Sequence, residues 1–281
     1  MRRVDRLAAV AVGLATAIVI GFVALPILAI FLRVPASTLL AELHSKAALD
    51  ALRVSLKTSL IALALILVFG TPVAYLLGTK RFRGAGALTL LLELPLVLPP
   101  AVAGIGLFAA FGRFGLLGRP LRALGIEIPF TQAAVVMALA FVAMPFYTRQ
   151  AVAAFASMDE RLLGVSRTLG AGRTETFFRV AVPMAAQGLS AGAALAWARA
   201  LGEFGATILF AGSLQGKTQT LPLAIFNRFS GGDLGAALAI AAMLVAASVG
   251  LLAGARLLAR ARRTEGPAGW VPFSRSSSLI G

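Results

Sequence analysis

Residues 157–183 read SMDERLLGVSRTLGAGRTETFFRVAVP, a polar, Arg-rich stretch of helical character set between long apolar runs. A connection of that length and regularity, in a chain otherwise apolar almost end to end, is built to touch something outside a bilayer. The rest of the sequence decides which side it faces and what it touches.

Of the 281 residues 59% are hydrophobic and 13% are charged, with a mean hydropathy of +0.91. Soluble domains carry about 25% charged residues, so this chain is solvated largely by lipid. It reads as one all-α polytopic membrane protein. A spanning helix needs about 20 apolar residues, and runs of suitable length fall at residues 7–32, 54–78, 86–111, 131–147, 187–212 and 234–258, which predicts six transmembrane helices. The first reads as an uncleaved helix, because a signal peptide has a shorter apolar core and a small-residue cleavage site.

Orientation follows from where Lys and Arg collect, since cytoplasmic connections carry the excess. With the N-terminus inside, sixteen lie on the inner side and nine on the outer, with Arg199 inside a span. Both termini are thus expected in the cytoplasm (N-in/C-in). The organisation expected is a first helix and outer connection over 1–53, a transmembrane domain over 54–258 with a cytoplasmic loop at 150–186, and a basic, Gly-, Pro- and Ser-containing tail over 259–281 that is expected to be disordered.

Composition also excludes chemistry. The chain has no Cys, hence neither a disulfide framework nor a thiolate site. Its one His, His44, has no second His with which to build a metal site or a Ser–His–Asp set, and no H-E-x-x-H occurs. No catalytic or metal-binding residue is assigned. The net charge of +15 is explained by inner-loop cations, and without a basic stripe interleaved with aromatics it does not indicate nucleic acid.

Residues 211–218, AGSLQGKT, imitate the phosphate-binding loop G-x-x-x-x-G-K-[ST]. That loop works only between a strand and a helix whose amides converge on phosphate. Here it follows a membrane span on the predicted outer face. The chain is expected to bind no nucleotide, so any ATP must be handled by another subunit.

Three ionisable residues fall inside predicted spans: Glu93, Arg199 and Glu203. Such groups are penalised in hydrocarbon and normally face protein or water. Arg199, counted from residue 187, is expected about 18 Å along its helix and near the bilayer middle, with Glu203 one turn further on the same face. Two readings are open: a buried, self-neutralising pair, or a polar face along the path of an anion. The third span carries Pro95, Pro99 and Pro100, which cannot donate to the helix ladder. A simple kink and a broken helix lining a cavity both fit. Gly188/Gly192 and Gly250/Gly254 form GxxxG pairs, and Gly202 and Gly205 permit close helix approach.

The loop has a further regularity. Gly164-Val165-Ser166, three residues, Gly170, nine residues, then Val180-Ala181-Val182-Pro183 resembles the cytoplasmic E-A-A, three residues, G, nine residues, I-x-L-P motif of membrane subunits of bacterial binding-protein-dependent ABC importers. The Gly and Pro match and Val replaces Ile and Leu. Gly164, Val165 and Ser166 depart from E-A-A, while Asp159 and Glu160 keep acidic character near the helix start, where the dipole favours it. LPLVLPP, RTLGAG, WARALGEFGATILFAG and GKTQTLPLAIF extend the resemblance over most of the chain after about residue 54. They are similar to the permease subunits of molybdate importers; ALGEFGA is shared with sulfate permeases, and tungstate permeases are close.

The resemblance implies a type I ABC importer permease fold working as a homodimer. A cytoplasmic ABC ATPase dimer would hold ATP and Mg, and a periplasmic or lipid-anchored molybdate-binding protein would deliver the anion; this chain itself would bind no cofactor. Residues 159–172 would form a coupling helix in a cleft of the ATPase, with Asp159, Glu160, Arg161, Leu163, Gly164, Arg167, Leu169, Gly170, Ala171 and Pro183 as the coupling set. Gly170 would allow the turn that ends that helix. Arg199, Glu203, Glu93, Pro95, Pro99 and Pro100 would belong to the translocation path or an intramembrane polar pair. Two alternatives from the residues alone are an amphipathic helix lying on the inner leaflet and, for the whole chain, an ion-coupled secondary transporter.

Overall fold

The structure is a computed structural model that describes residues 2–80 and 82–264; among these every regular element is helical. In chain order they are α1 (Arg2–Arg33), α2 (Ala36–His44), α3 (Lys46–Thr79), α4 (Ala85–Val97), α5 (Pro100–Phe111), α6 (Gly118–Ala123), α7 (Gln132–Ala156), α8 (Glu160–Thr168), α9 (Arg173–Thr176), a π-helical turn (Phe177–Ala181), α10 (Val182–Leu201), α11 (Gly205–Ala211), α12 (Leu221–Ser230) and α13 (Leu234–Thr264).

Four stretches among the described residues are long and apolar enough to cross a bilayer: Ala8–Arg33, Lys46–Thr79, Gln132–Ala156 and Arg173–Leu201. The pair Ala85–Val97 and Pro100–Phe111 makes a fifth if counted as one span, but it bends by 116° at its junction. The apolar part of α13, Leu234–Gly250, is shorter. The tail expected over 259–281 falls mostly outside the described residues, α13 continuing to Thr264.

The helices outrun the apolar windows that announce them. Ser45 caps α3 by accepting a hydrogen bond from the Ala48 amide at 3.1 Å, so α3 begins eight residues before the expected 54. The fourth span ends at Ala156 rather than Tyr147, which places Arg149 inside α7 and not in the loop. A hydrogen-bonded backbone does not stop where side chains become charged; hydropathy marks the lipid, not the helix end.

The third span differs most from a single helix over 86–111. Leu98 and Pro99 have extended backbones, with ψ of 129° and 136°. Each precedes a proline, whose ring disfavours the α conformation in the residue before it. Two prolines in succession therefore stop α4 and restart the chain as α5 in a new direction. Pro95, lying alone, is accommodated within α4.

The core lies where α7 packs between α3 and α10, and small residues bring the axes together. A Cβ on Gly70 would stand 3.1 Å from the Tyr147 ring, and one on Gly192 3.0 Å from Gln150 Cβ. Gly188 abuts Ala154, so the Gly188/Gly192 pair is a packing face. Gly250 and Gly254 have open space in this chain. Polar cross-links join the same helices: Tyr147 Oη to Thr71 Oγ1, and Trp197 Nε1 donating to Ser59 Oγ at 3.0 Å.

Candidate functional sites: a capped loop helix and two meeting helix breaks

Asp159 is the N-cap of α8, its carboxylate accepting from the Arg161 amide at 2.9 Å. The other end closes with two reverse bonds, Gly170 N–H to Arg167 O at 3.0 Å and Ala171 N–H to Ser166 O at 3.1 Å. That is the Schellman arrangement, and it requires the left-handed backbone that Gly170 supplies at φ 91°. The expected helix over 159–172 is thus α8 plus its terminating turn, and Gly172 already caps α9.

Capping at both ends fixes which side of α8 faces out. Leu163 is buried in the main core, and Ser166 Oγ meets Thr176 Oγ1 at 3.2 Å. Leu162, Val165 and Leu169 lie at spacings of three and four on the opposite side and are all exposed, Leu169 at 82%. Arg161 and Arg167 are exposed around them, and Gly164 has nothing within 4 Å of where a Cβ would sit. An apolar stripe flanked by cations is thus left exposed on this side of α8. Pro183 stands a dozen residues on, at the start of α10. It cannot supply the amide bond to residue 179, and the ladder before it opens into the π-turn, where Val182 N–H reaches Phe177 O.

The second site is the break after α10. Arg199 lies in the last turn of that helix and not at its middle, because the helix runs in from Val182 and ends at Leu201. Glu203 is therefore off the helix, in the connection to α11. The pair still forms: Arg199 Nη2 lies 2.7 Å from Glu203 Oε2, with the Glu203 side chain 1% exposed. Glu203 Oε1 meanwhile accepts from the Ala206 amide at 2.7 Å. One buried carboxylate thus ties the end of α10 to the start of α11, and both of its oxygens are occupied.

This break packs against the proline break. A Cβ on Gly205 would come within 2.9 Å of Pro100 Cβ, and one on Gly104 within 2.7 Å of the Ala206 carbonyl oxygen. Gly205 thus acts in close approach as expected, whereas Gly202 meets only its own turn. Pro99, Pro100, Arg199 and Glu203, separated by a hundred residues, become neighbouring parts of one crossing of α5 and α11. Glu93 is not among them. Its carboxylate pairs with Arg149 of α7, with Nε to Oε1 at 3.0 Å.

The connection after α11 is tied down by its own chain. The Leu214 carbonyl accepts from the amides of Lys217, Thr218 and Gln219, and Leu214 N–H donates to Thr218 Oγ1 at 3.0 Å. Three amides of the phosphate-loop imitation are consumed internally, and the segment follows a helix. Leu221 N–H donates to Ser55 Oγ at 2.7 Å, anchoring the connection on α3.

Sequence reading missed Arg149 as the partner of Glu93 and the outward stripe on α8. The first could have been found, since α4 and α7 carry one charge each and the two are of opposite sign.

Comparison with known proteins bears on both sites. Residues 70–264 match the family described as "Binding-protein-dependent transport system inner membrane component". The molybdenum transport system permease protein ModB of Mycobacterium bovis is 44% identical over 240 residues, covering 84% of this chain and 90% of that protein. ModB of Escherichia coli K12 is 39% identical over 206 residues, covering 72% of this chain and 90% of its own length. Among solved structures, a chain of a bacterial alginate ABC transporter in complex with a pentasaccharide-bound periplasmic protein superposes with a TM-score of 0.73 at 15% identity, covering 94% of this chain and 98% of that one, a likeness of fold. A family match over most of the chain and relatives of this identity and coverage lead to one conclusion: this chain belongs to the binding-protein-dependent transport system inner membrane components, the multi-pass permease subunits of ABC importers.

Proposed function

We propose that the chain is the permease subunit of a molybdate importer, forming the route for the anion through the inner membrane as a homodimer. ATP, with Mg, is hydrolysed on a separate cytoplasmic ATPase pair, and a periplasmic or lipid-anchored binding protein delivers the substrate. Counting α1, α3, the bent α4–α5 pair, α7, the α9–α10 run and α13 as crossings gives six, with both termini in the cytoplasm.

The observation that carries the coupling role is α8. Its two ends are pinned by Asp159 and Gly170 and its buried side by Leu163, so the outward stripe of Leu162, Val165 and Leu169 is rigid. A rigid apolar helix on the cytoplasmic face suits a cleft in an ATPase, where motion of the cleft moves α8 as a unit with α9 and α10. The spacing from Gly164 through Gly170 to Pro183 supports the same assignment. An amphipathic helix resting on lipid would not need to be locked at both ends. Molybdate as substrate is supported by the two ModB relatives. Membership of a binding-protein-dependent family speaks against an ion-coupled secondary carrier.

The test is reconstitution of this chain in liposomes with an ABC ATPase and a molybdate-binding protein from the same organism. Molybdate uptake that requires both partners and ATP is expected. Uptake of sulfate or tungstate in its place would reassign the substrate, and uptake without the ATPase would overturn the class. Gly170→Pro should abolish the stimulation of ATP hydrolysis by loaded binding protein while the subunits still co-purify; unchanged stimulation would remove α8 from the coupling role.

A further inference from the structure

Glu93 and Arg149 are the only charges of α4 and α7. Glu93 is eight residues into α4 and Arg149 seven residues short of the end of α7, so both stand about 10–12 Å from the same end of the bundle. Gly78 of α3 packs on Phe155 at that end, and the α8 loop leaves from it. At this depth lipid penalises both groups, and such residues face protein or water. Yet the pair is open: the Arg149 side chain is 63% exposed and Glu93 35%. The contact closes through Nε, and Nη1 and Nη2 donate no hydrogen bond to any described residue. The pair at Arg199 is the reverse, its carboxylate sealed and fully used. Gln150, next to Arg149, sits opposite Gly192 of α10, and Arg199 lies seven residues beyond Gly192, about 10 Å further from the loop end.

From this geometry we propose that Arg149 is an anion-contacting residue on the inner half of the translocation route, with Glu93 as the tether that positions its guanidinium. The inference rests on the anion-import reading above. The free Nη1 and Nη2 edge presents the planar fork that matches a tetrahedral oxyanion. Glu93 neutralises the site, so an arriving anion binds by competing with a carboxylate and is not trapped; conduction needs a station weak enough to leave. Two arginines at successive depths, the first fixed in a sealed pair and the second available, make a directional pair of stations.

Two measurements test this in the reconstituted complex. Arg149→Gln combined with Glu93→Gln removes both charges and leaves no unpaired ion behind, so the complex should still co-purify. Its molybdate uptake should fall at least about tenfold, with Arg149→Lys recovering part of it. Wild-type uptake by the doubly neutral form would show a merely structural pair and overturn the proposal. Because the chain has no Cys, Thr89→Cys, one turn from Glu93 on α4, reports access to the same face while keeping the pair. A charged thiol reagent applied from the cytoplasmic side should modify it, and molybdate should slow that reaction only while Arg149 is present. Absence of modification would mean the face is sealed by a second copy. Modification indifferent to molybdate would mean it faces headgroups, and either result defeats the assignment. If the wild type moves sulfate and not molybdate, the substrate reading fails alone, and the same variants are read with sulfate.

Discussion

The two Arg–Glu ion pairs have the same composition and opposite environments. Arg199 and Glu203 are joined within one chain segment, with the carboxylate at 1% exposure and both its oxygens engaged. Glu93 and Arg149 come from different helices and stand open. A sealed carboxylate that also caps a helix is a joint: removing it strands a guanidinium and an amide together. An open pair contributes little to stability, since water stabilises its members almost as well apart. The comparison separates a pair that holds the fold together from one that leaves its charges accessible, a difference that one span-level list of charges does not show.

The largest effect expected is from Glu203→Ala, which leaves Arg199 without its partner and the Ala206 amide without its acceptor; a loss of about 3 kcal/mol follows. Thermal unfolding of the detergent-solubilised complex would read it, and an unchanged transition would break the contrast between the pairs. Gly205→Val forces a branched side chain against Pro100 and should cost about 1–3 kcal/mol, lowering the same transition with both ion pairs chemically intact. Neutralising Glu93 and Arg149 together should move stability by no more than about 1 kcal/mol, so a severe loss of folded complex would show that the open pair is also a joint. Gly164→Ala marks the lower limit. The site has open space around it, and exchanging Gly for Ala inside α8 should raise stability by about 0.5–1 kcal/mol, read as a small rise in the same transition.

The crossing of α5 on α11 shows how far reading along the chain extends. Pro99-Pro100 announces a break, because each proline disfavours helix in its predecessor and two in succession compound the effect. Gly205 likewise announces close approach. Neither says that the two are neighbours, since the approach joins side chains a hundred positions apart. Arg199 shows the other kind of gap: its pairing with Glu203 follows from spacing, but its place in the last turn does not. Helix ends here are decided by capping and packing, and the apolar window misjudges them by nine residues at Ala156 and by eleven at Leu201.

Several properties were fixed locally and could be read without coordinates: the apolar runs, the loop with its Gly170 turn, and the acidic character at the start of α8. Each depends on the backbone preferences or hydropathy of adjacent residues. The tertiary structure decided which charges meet, which are sealed, and which face of α8 is outward. Those depend on distances between helices, and the glycines and alanines that set such distances carry no mark of the helix they will touch.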